Sequence, residues 1–210
     1  MRHRWDNLTF LHWPYEPATV QALLPAHLTV EPYDGAAWVG LVPFDMTVVG
    51  AGRFPETNVR TYVTGPDGTT GVWFFSLDAA RLDAVLAART ALRLPYQWSR
   101  MRTGRRGTTV RYRCERRWPD APAHNVTDVE VGEPVDEPTE LENYLTARFA
   151  LWTPDGSRMQ AHHPPWALRH ATVTRLDDSL VTAAGLPQPD REPLAHYSDG
   201  VAVRIGLPGR

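Results

Sequence analysis

The sequence predicts an α+β fold built on a mostly antiparallel, curved or closed sheet with a few flanking helices, and three observations support it. Short segments rich in β-branched and aromatic residues recur along the chain and are separated by turn-forming residues. Two of them, 59–63 and 72–77, flank the turn-rich segment 65–71, which is typical of a hairpin with a long loop. Helical periodicity is restricted to three stretches, so strands are expected to dominate.

Each predicted strand is a run of residues with high strand propensity. The predicted strands are, in chain order, 37–42, 46–49, 59–63, 72–77, 108–114, 126–131, 149–152, 159–163, 171–176 and 201–205. No internal repeat or low-complexity segment interrupts this series, so residues 1–210 are expected to form a single domain.

Two of the predicted helices are short and are recognised by their end signals. The first, 16–24, has Pro17 in its first turn and is followed by Pro25, which cannot continue a helix. The last begins at Thr139 and runs through residue 145. Its Glu142, three residues after the threonine, predicts a capping box.

The strongest helical pattern covers 79–92, with Asp78 as the predicted N-terminal cap. Leu82, Val85 and Leu86 are spaced three and four residues apart, so they share one face of a helix. Arg89 falls on the same face one step further along. A cationic side chain is therefore expected at the C-terminal end of an apolar helix face.

All 22 basic residues are arginine, and the chain contains no lysine. A Schiff base with a carbonyl substrate needs an amine, so no side chain can supply that chemistry. The net charge of −2 argues against a surface that binds nucleic acid or anionic membranes as a whole. The lone Cys114 cannot form an internal disulfide, and no apolar run reaches the roughly 20 residues of a membrane span. Because no apolar stretch follows the first arginines, no secretory signal is predicted, and a cytoplasmic location is expected.

A polar face is predicted on the strand at 59–63. Side chains alternate between the two faces of a strand, so Asn58, Arg60 and Tyr62 point the same way, and Glu56 joins them if the strand extends back. An apolar back with a charged front is typical of a half-exposed strand. The neighbouring segment 72–78, however, carries large apolar groups on both faces, which favours burial of this part of the sheet on both sides.

Burial on both sides would place Arg60 inside the protein. A buried guanidinium needs a carboxylate or an anionic ligand, and Glu56 and Asp78 are the nearest candidate partners. Whether Arg60 lies opposite Ser76 or Phe75 depends on the parity of the connecting loop, and both pairings stay open.

Several segments of the chain carry a resemblance to a known family: 11–13, 24–25, 33–40, 54–63, 71–78, 88–89, 94–96 and 163–168. They are similar to the YqjF-like family of uncharacterised bacterial proteins, whose fold is related to acetoacetate decarboxylase. The resemblance implies a conical, largely antiparallel barrel with a polar pocket inside. It also implies a pocket whose arginine suits a carboxylate or enolate and whose glutamate suits proton transfer, although the decarboxylase's lysine has no counterpart here. The family tends to have Glu-Arg-Tyr at 147–149, where this chain has Ala-Arg-Phe, so Arg148 is expected to have a different partner.

The resulting hypothesis is a pocket that binds a small carboxylate or other organic anion through Arg60, with Arg89 as a second cation. Glu56 would be a general acid or base, and any reaction would be of the lyase or isomerase type without a Schiff base. The candidate catalytic residues are Glu56 and Arg60, and the candidate ligand-binding residues are Asn58, Tyr62, Ser76, Asp78, Arg89, His12, Tyr96, Arg148 and His163. For His12 and His163, hydrogen-bonded packing is the favoured interpretation. The alternative is a noncatalytic structural or partner-binding protein in which Glu56, Arg60, Asp78 and Arg89 form an internal ion-pair network.

Metal and nucleic-acid sites are disfavoured. His162 and His163 are adjacent on a predicted strand and point to opposite faces, and no zinc motif is present, so neither a metal nor a cofactor is expected. Eight arginines within 100–117 form a possible basic platform, but eight acidic residues follow within 120–142. We expect cross-strand pairs of Arg111 with Glu130 and of Arg113 with Asp128 to neutralise much of it. Self-association is left open.

Overall fold

The computed structural model describes residues 1–50 and 52–206, which form strands and a few short helices. The helices are α1 (Pro17–Gln21), α2 (Leu82–Ala91), α3 (Glu140–Thr146) and α4 (Leu180–Ala183). The strands are β1 (Arg2–Tyr15), β2 (Thr29–Val30), β3 (Ala37–Val48), β4 (Gly52–Thr64), β5 (Thr70–Ala79), β6 (Tyr96–Arg106), β7 (Thr109–Trp118), β8 (His124–Pro134), β9 (Ala150–Trp152), β10 (Arg158–His162), β11 (Arg169–Asp178) and β12 (Leu194–Ile205).

The strands of the described residues form one sheet that returns on itself. Hydrogen-bonded neighbours lead from β4 through β5, β6, β7, β8, β11, β12, β1 and β3 back to β4. Every step in this ring is antiparallel except β5 to β6. Strands β9 and β10 connect β5 to β12 across the ring, and β2 extends the edge beside β4. The predicted α+β, mostly antiparallel fold with a few helices is confirmed. None of the helices in the described part of the chain is long and apolar enough to cross a membrane.

Three strands were not predicted, the two-residue β2 and the longer β1 and β6, and burial explains β1. β1 is buried at six consecutive positions, 8–13, so its sequence lacks the alternation of a half-exposed strand. β6 carries a run of arginines and was likewise missed. The predicted strands 37–42 and 46–49 are halves of the single strand β3, which continues through Pro43.

The helix predicted at 79–92 begins later, at Leu82, because Asp78 and Ala79 belong to β5. Asp78 does not cap the helix but is held inside the sheet by hydrogen bonds. Of the predicted apolar face only Val85 is buried, whereas Leu82 and Leu86 are exposed. The capping box of α3 is confirmed, since Thr139 and Glu142 exchange both hydrogen bonds.

The loop between β4 and β5 sets the residue opposite Arg60, because Thr64 pairs with Thr70 and the register runs unbroken from there to Arg60. Val59 lies opposite Ser76 and Arg60 lies opposite Phe74, so Phe75 is the extra residue of the bulge. Both predicted pairings of Arg60, with Ser76 and with Phe75, are wrong, because the connection 65–69 sets a different register from either of them.

The close packing around Arg60 depends on a glycine. Gly40 of β3 lies opposite Arg60 of β4. A Cβ atom at this position would lie 2.9 Å from Nε2 of His12 and 3.5 Å from Cγ of Arg60. The absent side chain thus lets β1, β3 and β4 bring His12 and Arg60 together.

Candidate functional site

A cavity of about 530 Å³ lies beside β4. Glu56, Asn58 and Arg60 line it, as expected for alternate residues of one strand. Most of the remaining wall is aromatic or aliphatic, with contributions from β1, β3, α2 and the segment after β10. The arrangement is an apolar cavity with a short polar row along one wall, which is the usual composition of a small-molecule site.

Arg60 is the cationic member of this row. Its Nη2 donates to the carbonyl oxygen of Leu145 at 3.2 Å, and its guanidinium lies 5.6 Å from the ring centre of Phe10 and 5.8 Å from that of Tyr62. Among residues 1–50 and 52–206, no carboxylate oxygen lies within 4.0 Å of the Arg60 guanidinium, the limit for an ion pair. The Nε atom of Arg60 is buried without a hydrogen-bond partner. The positive charge of Arg60 is therefore not neutralised by the part of the protein that the structure describes.

Tyr62 and His12 form a buried hydrogen-bonded pair beside Arg60. The Tyr62 hydroxyl donates to the carbonyl oxygen of Leu145 at 2.6 Å, so it accepts from Nε2 of His12 at 2.7 Å. Burial and the charge of Arg60 lower the pKa of His12 well below its ordinary value, so this imidazole is neutral. Neither residue lines the cavity. Tyr62 packs against the Arg60 guanidinium on the side away from the cavity wall, and His12 bonds to Tyr62.

Glu56 is a buried carboxyl group in the cavity wall, 2% exposed. Burial raises its pKa to about 8, and the hydrogen bond that Tyr96 donates at 3.0 Å only partly opposes this effect. At neutral pH most of Glu56 is protonated. It can therefore donate a proton or a hydrogen bond to a ligand, and Tyr96 lines the cavity next to it.

Asn58, between Glu56 and Arg60, is 5% exposed. Its Oδ1 is buried and has no hydrogen-bond partner within the described residues. The indole Nε1 of Trp5, another lining residue, is in the same situation. Buried polar atoms are normally paired, so these two atoms mark the wall as suited to a polar ligand atom.

Asp78 and Ser76 belong to a different cluster. Both oxygens of Asp78 accept from Arg116, at 2.7 and 2.9 Å, and one also accepts from Ser99 at 2.7 Å. Arg116 donates to the Ser76 hydroxyl as well, at 3.1 Å. The side chains of Asp78 and Arg116 are 0% and 2% exposed, and none of these residues lines the cavity.

Arg116 was missed by sequence reasoning, although a signal was present. Val110, Tyr112 and Cys114 alternate as the buried face of β7, and position 116 continues that series. The predicted partners of Arg60 are therefore engaged elsewhere: Asp78 pairs with Arg116 and Glu56 bonds with Tyr96. Within the described residues, the internal network of Glu56, Arg60, Asp78 and Arg89 does not form.

The remaining candidates lie outside the cavity wall. Arg89 donates to the carbonyl oxygen of Tyr96 at 2.6 Å and lies over the ring of Trp118. Arg148 pairs with Glu31 at 3.0 Å. His163 packs against aromatic rings, with ring centres 4.7 to 6.1 Å away.

The arginine cluster at 100–117 is partly neutralised. Arg111 lies opposite Asp128 rather than Glu130, and Arg113 lies opposite Val126, so the predicted register is wrong by two residues because the short connection 119–123 sets it. Arg113 nevertheless reaches Asp128 diagonally, at 2.5 Å. Five of the eight arginines pair with carboxylates: Arg105, Arg111, Arg113, Arg116 and Arg117. This leaves little of a free basic platform for nucleic acid.

Other site types lack support in the part of the chain that is described. It contains no group of three His, Cys, Asp or Glu residues that could hold a metal ion. Cys114 is buried, and burial raises the pKa of its thiol well above the ordinary value, so it is a poor nucleophile.

Comparisons with known proteins agree on the family and the fold. A sequence model of the family DUF2071, described as an uncharacterized conserved protein, matches residues 2–202. The uncharacterized protein YqjF of Bacillus subtilis (strain 168) is 34% identical over 211 residues, covering 94% of this chain and 87% of YqjF.

Solved structures resemble the protein at low sequence identity. An acetoacetate decarboxylase-like enzyme from Sphingomonas wittichii RW1 has a TM-score of 0.69 at 15% identity, covering 100% of this chain and 92% of that chain. The enduracididine biosynthesis enzyme MppR complexed with pyruvate has a TM-score of 0.68 at 13% identity, with 99% and 89% covered. An acetoacetate decarboxylase from Legionella pneumophila has a TM-score of 0.60 at 13% identity, with 99% and 88% covered. The decarboxylase-like fold expected from the resemblance is confirmed.

Proposed function

This chain belongs to the DUF2071 family of uncharacterized conserved proteins, and we propose that it binds a small organic carboxylate in the cavity beside β4. The observation that carries the proposal is the state of Arg60. Arg116 and Arg148 each have a carboxylate partner, whereas Arg60 lines the cavity with none among the described residues. An anionic ligand would supply the missing charge.

The electrostatics of the cavity favour an anion over a neutral or cationic ligand. Arg60 is half-buried, so its charge is partly withdrawn from water, and a carboxylate can offset that cost through charge-assisted hydrogen bonds. Glu56, protonated at neutral pH, adds no competing negative charge. Asn58 offers a second polar group two residues from Arg60 on the same strand face.

The fold supports the same class of ligand. MppR, a structural neighbour, is complexed with pyruvate, which is a small carboxylate. The absence of lysine from the chain excludes a lysine Schiff base, so binding has to rely on arginine and neutral hydrogen-bonding groups. Glu56 is suited to proton transfer because its pKa of about 8 lies close to neutral pH. If the ligand is turned over, the reaction is an acid–base step of the lyase or isomerase type.

Calorimetric titration tests the proposal with hexanoate and its uncharged analogue, hexanamide. We expect the carboxylate to bind more tightly than the amide. Arg60→Met should weaken hexanoate binding by about 10- to 100-fold, the usual value of a hydrogen bond to a charged group, and should leave hexanamide unaffected. The matched control is Arg100→Met, which removes an exposed arginine outside the cavity wall. Equal affinity for acid and amide, or hexanoate binding that survives Arg60→Met, would overturn the proposal.

A further inference from the structure

We propose that the carboxylate carries an apolar body of medium length, which lies against a row of alanines on α2, and that this row sets the length of the body. The inference rests on the proposed function and adds the chemical class of the ligand. Its observations are the size and lining of the cavity, the orientation of α2 and the unpaired Oδ1 of Asn58 on β4.

The cavity is larger and more apolar than a short acid requires. Its volume of about 530 Å³ lies within the range of pockets that enclose drug-sized ligands. Away from the polar row most of the wall is hydrophobic, with Trp5, Leu8, Phe44, Met46, Phe54 and Trp166 among the lining residues. The charged residues on the α2 side, Arg81 and Asp83, form an ion pair with each other. A two- or three-carbon acid at Arg60 would leave most of this surface without a contact, whereas an apolar chain would cover it.

α2 presents four alanines to the cavity and two leucines to solvent. Ala84, Ala87, Ala88 and Ala91 line the cavity at the spacing of one helix face. Leu82 and Leu86 point away and are 42% and 45% exposed. An amphipathic helix normally turns its leucines inward. The reversed arrangement on α2 keeps space free beside the helix.

Asn58 is the independent sign that this space receives a ligand. Its side chain is 95% buried, lines the cavity, and keeps Oδ1 without a partner in the described residues. A space that served only as a packing defect would be expected to have an apolar wall throughout. Asn58 and Arg60 therefore mark the end of the cavity that takes the head group.

The direction of the ligand follows from β4. Arg60 and Glu56 are four residues apart, so their Cα atoms are separated by about 13 Å along an extended strand. Phe54 comes two residues further, and the guanidinium of Arg81, at the start of α2, lies 5.8 Å from its ring centre. A carboxylate at Arg60 thus directs its body past Asn58 towards Glu56 and α2. Glu56 faces a part of the ligand that is several bonds away from the carboxylate.

The test is a calorimetric series of straight-chain saturated acids, from acetate to decanoate, at fixed pH and salt. With the wild-type protein we expect affinity to rise about fourfold per methylene group until the chain reaches the alanine row, and then to level off. Ala88→Leu should move that limit to shorter chains and leave acetate binding unchanged. Thr90→Leu adds the same side chain to the exposed side of α2 and should change neither.

Ala87→Leu keeps the test valid if Ala88→Leu fails to fold, because Ala87 lines the cavity at an exposed position. Acids that bind through Arg60 with no dependence on chain length would overturn this inference and leave the proposed function standing. A length limit that neither alanine variant shifts would also overturn it. If no acid of any length binds, the proposed function fails, and this inference with it.

Discussion

Replacement of Glu56 by glutamine should change how the stability of the protein depends on pH. Burial raises the pKa of Glu56 from its ordinary value of 4.5 to about 8. Between these values the folded protein holds the Glu56 proton and the unfolded chain has released it. The native state then binds more protons, so the free energy of unfolding falls as pH rises, by about 1.36 kcal/mol per pH unit.

The magnitude follows from that slope. The stabilisation that the Glu56 proton gives to the folded state is fully present below pH 4.5 and is lost as pH rises to about 8. Relative to its value below pH 4.5, the free energy of unfolding is lower by about 3 kcal/mol at pH 7 and by at most about 5 kcal/mol above pH 8. Glutamine has no proton to lose and can still accept the hydrogen bond from Tyr96, so the variant should lack this loss.

Urea-induced unfolding at several pH values measures the effect. The stability of Glu56→Gln relative to the wild type should increase by about 3 kcal/mol between pH 5 and pH 7. Glu115→Gln, at an exposed carboxyl group, serves as the control and should show no comparable change. A difference between wild type and Glu56→Gln that stays constant with pH would refute the assignment of Glu56 as a buried, neutral acid.

Three further predictions concern the surroundings of the cavity. Asp78→Asn leaves Arg116 buried without a counter-ion, so it should lower the free energy of unfolding by about 3–5 kcal/mol and leave hexanoate affinity unchanged. A loss under about 1 kcal/mol in urea-induced unfolding would contradict the buried pair. Gly40→Ala places a Cβ 2.9 Å from the His12 ring and should cost about 1–3 kcal/mol and weaken hexanoate binding, whereas Gly104→Ala, with nothing within 4 Å, should do neither. Native Cys114 should resist a thiol reagent and react only as the chain unfolds in urea, and rapid stoichiometric labelling of the folded protein would count against its burial.

Periodicity predicted the parts of the fold in which one rule dominates. The alternation along β4 indicated that Glu56, Asn58 and Arg60 share a face, and the structure brings all three to the cavity wall. The capping box of α3 was visible in Thr139 and Glu142 because that signal is local.

Other features depend on tertiary packing, which a single sequence does not display. The bulge at Phe75 changes the residue opposite Val59, and no glycine or proline in the sequence indicates it. Asp78 resembled a helix cap, but its buried pair with Arg116 keeps it in the sheet. In α2 the sequence predicted one apolar face with Leu82, Val85 and Leu86, but only Val85 is buried, and the helix turns alanines towards the cavity.

A crystal structure of the protein soaked with octanoate tests the central claim most directly. We predict density for the carboxylate within hydrogen-bond distance of the Arg60 guanidinium and the Asn58 side chain, with the tail leading towards α2. A carboxylate bound at the surface, or an acid whose tail rather than its head group lies against Arg60, would contradict the account.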